Sequence, residues 1–256
     1  VGSDQTWNAD ISKQLAKGYF LDFGSEKILR GSYSASIGKT VWEDTEWIKK
    51  SDVQRGLDRF DFLSIREHSG KVLLKDEFGK DAVQVLDPVL LFPSYSELIG
   101  DLSEKNELIT YKLINSDKFY EQARLVAGLL NVIPRSIGSI RQIPGFKHSY
   151  PESIEKWIKR FACAKYVITD SFHGTVISII YHRPFAFCIG NPKRATRIFS
   201  LLKLLNLEDR YVDNNSTVED INRVLTAQIN WSIVDEKLNK MRELSFDFLK
   251  QNIKSE

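Results

Sequence analysis

The residues best suited to chemistry are Asp170-Ser171-Phe172-His173-Gly174. They stand between an apolar, β-branched run (Tyr166 to Thr169) and a second apolar run with helical spacing, from about Thr175 to Tyr181. A strand feeding a helix in a parallel α/β sheet places its turn at the carboxyl edge, where ligands bind. The helix that follows offers unbonded N–H groups and the positive end of its dipole, which suits a phosphate or a carboxylate. A histidine there can deliver a proton near neutral pH. The turn therefore reads as an anion site with acid/base capacity. The plainer reading is an N-cap at Ser171 and a backbone turn at Gly174.

Other strand ends carry further polar groups: Ser3 and Asp4, Ser36 and Gly38, Arg66, Asp87, Tyr111 and Lys112, Arg135, and Asn191 with Lys193 and Arg194. A charge directly after a buried strand is costly unless it is solvated, paired or bound. Arg66, in Phe62-Leu-Ser-Ile-Arg-Glu67, can hold a carboxylate or phosphate through two parallel bonds, or can pair with Asp87 as a structural salt bridge. Lys193, Arg194 and Arg197 read equally as ligand contacts or as a solvated helix start. His68 and His182 read as surface residues, and Lys147-His148 as a basic loop contact. The five tryptophans, Trp7, Trp42, Trp47, Trp157 and Trp231, read as packing residues, with sugar stacking as the alternative at Trp7.

The elements that must position these groups alternate along the chain. Strands are expected at Ile28 to Ser36, Phe62 to Arg66, Ala82 to Leu86, Leu108 to Leu113, Val132 to Ile137, Tyr166 to Thr169 and Pro184 to Ile189. Helices are expected at Asp44 to Arg59, Ser69 to Phe78, Lys118 to Leu130, Pro151 to Ala164, Thr175 to Tyr181, Thr196 to Leu205 and Val218 to Asn230. The alternation predicts an α/β fold with parallel sheets covered on both faces. The polar stretch Pro93 to Asn106 interrupts it, giving expected domains at 1–92 and 93–230. A last amphipathic helix, Trp231 to about Ile253, fits either packing back on the first domain or an oligomer contact.

The 256 residues carry a net charge of +2 with 27% charged side chains interleaved in sign, so no field points to nucleic acid. No apolar run is long enough to span a bilayer. Cys163 and Cys188 match no metal spacing, nor do the four histidines, and reduced core thiols of a cytoplasmic protein are expected. The opening Val1-Gly-Ser-Asp4, without methionine, reads as a start inside a motif, with an N-terminal part missing.

Several segments together resemble the polysaccharide pyruvyl transferase family. They are Val1-Gly-Ser-Asp-Gln-Thr-Trp-Asn8, Tyr19-Phe-Leu-Asp-Phe-Gly24 with Ser32-Tyr-Ser-Ala-Ser-Ile-Gly38, Phe60 to Gly70, Val85-Leu-Asp-Pro-Val-Leu-Leu91, and Tyr166 to Thr175 with Arg183-Pro-Phe185. Five ordered motifs over nearly the whole chain are more specific than any one of them. The resemblance implies two Rossmann-like, doubly wound domains facing across a cleft, a glycosyltransferase-B-like fold, with the N-terminal part truncated. It implies transfer of pyruvate from phosphoenolpyruvate to a sugar of a bacterial capsule or exopolysaccharide precursor. The acceptor would be lipid-linked or nucleotide-activated, met in the cytoplasm or at the inner face of the membrane.

Phosphoenolpyruvate brings a phosphate and a carboxylate, so concentrated positive charge is needed. On that chemistry His173 suits general acid or phosphate contact, Asp4 the acceptor hydroxyl as base or ligand, and Asp170 either a base or a support for His173. Arg66, Ser171, Gly174, Thr175, Ser3, Gln5 and Arg194 are the expected substrate contacts. No metal and no cofactor is expected beyond phosphoenolpyruvate as co-substrate. A nucleotide-sugar glycosyltransferase and a non-catalytic glycan-binding relic are the alternatives.

Overall fold

The computed structural model describes residues 1–114, 116–189 and 195–253. They fall into two compact units. The first takes Val1–Leu91, Pro192–Leu205 and Asp235–Glu256; the second takes Phe92–Asn191 and Asn206–Val234.

In the first unit, β1 (Ser64–Ile65) pairs in parallel with β2 (Val83–Gln84). The expected strand at Ile28 to Ser36 is an extended segment that meets this pair only through the parallel bridges Gly31↔Phe62 and Ala35↔Ile65. The reason is local. Ser34 turns to φ 53°, out of the extended range, and its amide donates to the Ser64 hydroxyl at 3.1 Å instead of to a carbonyl. Serine hydroxyls stitch the same place, with Ser32 Oγ donating to Ser64 O at 2.9 Å and Ser64 Oγ to Ser32 O at 2.8 Å.

Trp7 anchors this unit's core. Its ring stacks on Phe20 at 5.3 Å, its Nε1 donates to Tyr19 O at 2.9 Å, and 1% of it is exposed. The sugar-stacking alternative for Trp7 gives way to packing. The helix expected over Asp44 to Arg59 forms only at Lys50–Leu57. The helix Trp231–Asn252 contributes its later turns to this unit, where Arg242 Nε donates to Leu90 O at 2.8 Å and Ser245 Oγ accepts from Leu86 N at 3.0 Å.

The second unit is built on six parallel strands: β3 (Lys105–Tyr111), β4 (Ile133–Ile137), β5 (Lys147–Ser149), β6 (Ala164–Thr169), β7 (Phe185–Cys188) and β8 (Tyr211–Val212). Their order, β5-β4-β3-β6-β7-β8, reverses direction between β3 and β6. This is the doubly wound order whose switch point opens a crevice at the carboxyl strand ends. Two edge strands, β5 and β8, were not anticipated, because three and two residues are too few for an apolar run. Lys147-His148 accordingly lies in an edge strand and not in a loop. The interior of the sheet is apolar (Leu108, Ile168, Ala186) and the helices Asp117–Leu129 and Val218–Thr226 cover it.

Candidate functional site

In the first unit the opening eight residues run back along the extended segment. Tyr33 N donates to Val1 O at 2.8 Å and Trp7 N to Ser36 O at 3.1 Å. Gly2 permits the approach: its φ is 142°, and a Cβ there would stand 1.8 Å from Tyr33 O. Asn8 then caps the helix Ala9–Ser12, its side chain accepting from Asp10 N. Between these fixed points Asp4, at φ 38°, turns its carboxylate outward, 65% exposed.

Two arginines converge on that carboxylate. Arg66 Nη2 lies 3.3 Å from Asp4 Oδ1, and Arg197 Nη1 lies 2.5 Å from the same oxygen. The other arm of Arg66 bonds the buried carboxylate of Asp87, whose Oδ1 also accepts from Val89 N at 3.0 Å. The structural ion pair with Asp87 is thus present, while the other arm of Arg66 reaches the protein's own exposed carboxylate at Asp4. Arg197 is not part of a solvated helix start. Its side chain is 14% exposed, and its pKa is lowered by burial and then by the neighbouring Arg66 charge, against the pull of Asp4 and Glu67.

Glu67 was missed by sequence reasoning because it falls between the expected strand end at Arg66 and the expected helix start at Ser69. It is fully buried, and its Oε1 accepts from Ser36 Oγ at 3.1 Å, Ile37 N at 2.8 Å and Gly38 N at 2.9 Å. It ties the end of β1 to the Ser36–Gly38 turn on which the Asp4 loop rests. Ser3 is half-buried at the head of that loop. Gln5 is buried, its amide packed against Gly38, so it supports the loop from inside. Arg194 and Lys193 lie outside the described residues, as does Asn191.

In the second unit the Asp170–Gly174 turn sits at the switch point, after β6 and beside the end of β3. The helix begins earlier than expected, at Phe172, so His173 and Gly174 belong to its first turn. Ser171 is its N-cap, accepting from Gly174 N at 3.3 Å, while Thr175 N and Oγ1 both donate to Ser171 O at 3.1 Å. Gly174 is required for close packing, because a Cβ would meet Thr169 Oγ1 at 2.8 Å and the Phe161 ring at 3.2 Å. Ser171, Gly174 and Thr175 are therefore buried and bonded to one another, facing the sheet.

Asp170 clamps the loop after β3. Its carboxylate accepts from Leu113 N at 2.7 Å and Ile114 N at 3.1 Å and pairs with Lys112 Nζ at 3.1 Å, both side chains being nearly inaccessible. These contacts make it a loop anchor instead of a support for His173. His173 is half-buried, with its ring edge-on to Phe172. Arg135, on β4, is committed to Glu107 through two bonds of 2.9 and 2.8 Å. Burial pushes the Cys188 thiol up to about 12. Among the described residues no group of three or more His, Cys, Asp and Glu is arranged to hold a metal, and no helix is long and apolar enough to cross a membrane.

The family model of the polysaccharide pyruvyl transferases matches residues 1–192. The chain belongs to that family. The match spans the Asp4 loop, Arg66 and the His173 turn, and ends before Arg197. No curated protein matches. Among solved structures, a glycotransferase of kitacinnamycin is similar at TM-score 0.47 and 13% identity, over 81% of this chain and 58% of that one. The spinosyn forosaminyltransferase SpnP is similar at 0.45 and 11%, over 79% and 58%. The wall teichoic acid polymerase TagF is similar at 0.38 and 12%, over 78% and 61%. The chain thus spans about three fifths of the length of these structures, and identities this low carry no function between chains.

Proposed function

We propose that the protein moves pyruvate from phosphoenolpyruvate onto a sugar of a cell-surface polysaccharide precursor, forming a pyruvate ketal. The observation that carries this reading is the pair of guanidiniums, Arg66 and Arg197, converging on the exposed carboxylate of Asp4. Two guanidiniums that already hold one exposed carboxylate are chemically suited to a carboxylate or phosphate, which supports the reading. Membership of the polysaccharide pyruvyl transferase family supports pyruvyl transfer, and the donor is part of the proposal.

In this reading the donor anion displaces Asp4 from the two arginines, and Asp4 then serves the acceptor. His173 protonates the methylene carbon of phosphoenolpyruvate, and the adjacent carbon becomes electrophilic. A sugar hydroxyl adds there as its proton passes to Asp4. The bond to the phosphate oxygen then breaks, phosphate leaves with its electron pair, and a second hydroxyl closes the ketal as its proton passes to the phosphate. Arg66 and Arg197 neutralise the donor's charge throughout. No cofactor takes part in these steps. Precursors of this kind would be met in the cytoplasm or at the inner membrane face.

The test is calorimetric titration with phosphoenolpyruvate, with turnover measured beside it. Saturable binding weakened by Arg66→Ala and by Arg197→Ala is expected, and His173→Ala should lower turnover at least about a hundredfold, the scale of a positioned acid. Binding of uridine or guanosine nucleotides in place of phosphoenolpyruvate would move the protein to the nucleotide-sugar transferases. Turnover unchanged by His173→Ala would remove the histidine from the mechanism.

A further inference from the structure

A cavity of about 560 Å³ in the first unit lies between the helices His68–Phe78 and Thr196–Leu205. That volume lies within the ordinary range of small-ligand sites. His68, Ser69, Gln84, Thr196, Ser200 and Lys203 give it a polar lining, and Phe199 and Leu204 an apolar wall. Among the described residues that line it there is no carboxylate, and the exposed Lys203 is its one lysine or arginine. An exposed cation beside an apolar wall, with no acid to neutralise it, suits an anion carried on an apolar group.

The backbone and hydroxyls point the same way. Both helices present their N-terminal turns, and among the described residues the amides of Ser69 and Thr196 find no acceptor. The hydroxyls of these two residues are withdrawn from solvent and also lack a partner. Two hydroxyls left unmet are costly, and a staggered rotation about χ1 offers each a new direction. Ser200 Oγ already accepts from His68 N at 3.0 Å and from Gln84 Nε2 at 3.2 Å, which fixes the two helix starts against each other.

We propose that this cavity seats the phosphate of the acceptor, a sugar presented as a phosphate ester whose other side is apolar. The proposal rests on the reading of the protein as a pyruvyl transferase. It deepens that reading by giving the acceptor's carrier its own seat, whose lining includes His68, two residues after Arg66, and Thr196, one before Arg197. Phosphoenolpyruvate has no apolar part for Phe199 and Leu204, so the donor and this ligand are distinguishable by chemistry.

The experiment is titration of the full chain with phenyl phosphate, run on the native protein, Lys203→Glu, Phe199→Ala and Arg66→Ala. Lys203→Glu should weaken phenyl phosphate at least about tenfold, and Phe199→Ala several-fold, while both leave phosphoenolpyruvate affinity within about twofold; Arg66→Ala should do the reverse. Farnesyl phosphate and uridine monophosphate then separate a lipid carrier from a nucleotide carrier, the tighter binder naming the source. Phenyl phosphate binding that Lys203→Glu leaves unchanged, or no binding to the native chain, overturns the proposal. Loss of phosphoenolpyruvate binding by the native chain would instead sink the transferase reading, since the phenyl phosphate result does not depend on it.

Discussion

The two units each bury an ion pair beneath a candidate anion site, and they use it in opposite ways. In the first, Asp87 satisfies one arm of Arg66 and leaves the other directed at the exposed Asp4. Charge at this site comes from side chains whose shared counter-ion, Asp4, is exposed. In the second, Asp170 is saturated by Lys112 and by the Leu113 and Ile114 amides, so the pair is closed. Positive potential at that turn comes from a helix N-terminus, with the His173 ring in its first turn. A discrete cation pair suits a fixed anion, whereas a helix start with a histidine suits a group that changes charge as it reacts.

The largest test breaks both pairs. Arg66→Ala leaves Asp87 buried without its cation, and Asp170→Ala does the same to Lys112. Each should lower stability by about 3–5 kcal/mol, read as a fall in urea midpoint. Adding Asp87→Asn to the first and Lys112→Met to the second should recover part of that loss. Phosphoenolpyruvate binding should return only in the second unit's double variant, because the proposed function puts Arg66, and not Lys112, against the ligand. Recovery of binding in Arg66→Ala with Asp87→Asn would show that the arginine is structural alone.

A smaller effect separates scaffold from chemistry within the second unit. Ser171→Ala removes the bond to Gly174 N and should cost about 1 kcal/mol, while Ser171→Gly should cost only a few tenths. Turnover should follow stability in both. If Ser171→Ala lost turnover far beyond its loss of stability, the hydroxyl would be a substrate contact and the N-cap account incomplete.

The same contrast explains what could be read without coordinates. The His173 turn is contiguous, and its strand, cap and helix are written one after another, so its place at a strand end was legible. The limit was the exact helix start, since a first turn of Phe172, His173 and Gly174 has no periodic signature. The Asp4 cluster is assembled from positions 4, 66, 87 and 197. Arg66 and Asp87 were visible as strand-end charges, but Arg197 looked like any basic helix start. Glu67 was hidden because its partners are backbone amides and a serine, which leave no charge complement to notice. The serine-stitched segment at Ser32 to Ser36 failed as a strand for a similar reason: hydroxyls replace part of a ladder that the apolar pattern had promised.

The smallest expected effect concerns alkali, and it again sets one unit against the other. Burial raises the Cys188 thiol from 9.0 to about 12, and it raises the Tyr33 phenol from 10.0 to about 12, with the Asp87 charge a lesser contributor. In both groups the folded state holds the proton more tightly. The stability this gives is therefore complete below the unfolded pKa and is lost as pH rises through the folded value. The thiol's window opens lower, at about pH 9, because its unfolded pKa is lower. At pH 9.5 an unfolded thiol is already mostly ionised while the buried one is not, a difference of about 0.8 kcal/mol against the fold. The partly exposed phenol should contribute less at that pH. Cys188→Ala should therefore flatten the fall in urea midpoint between pH 8.5 and 10 more than Tyr33→Phe does. Equal slopes in the native chain and Cys188→Ala would mean that the thiol reaches solvent, and that the end of β7 is looser than its packing implies.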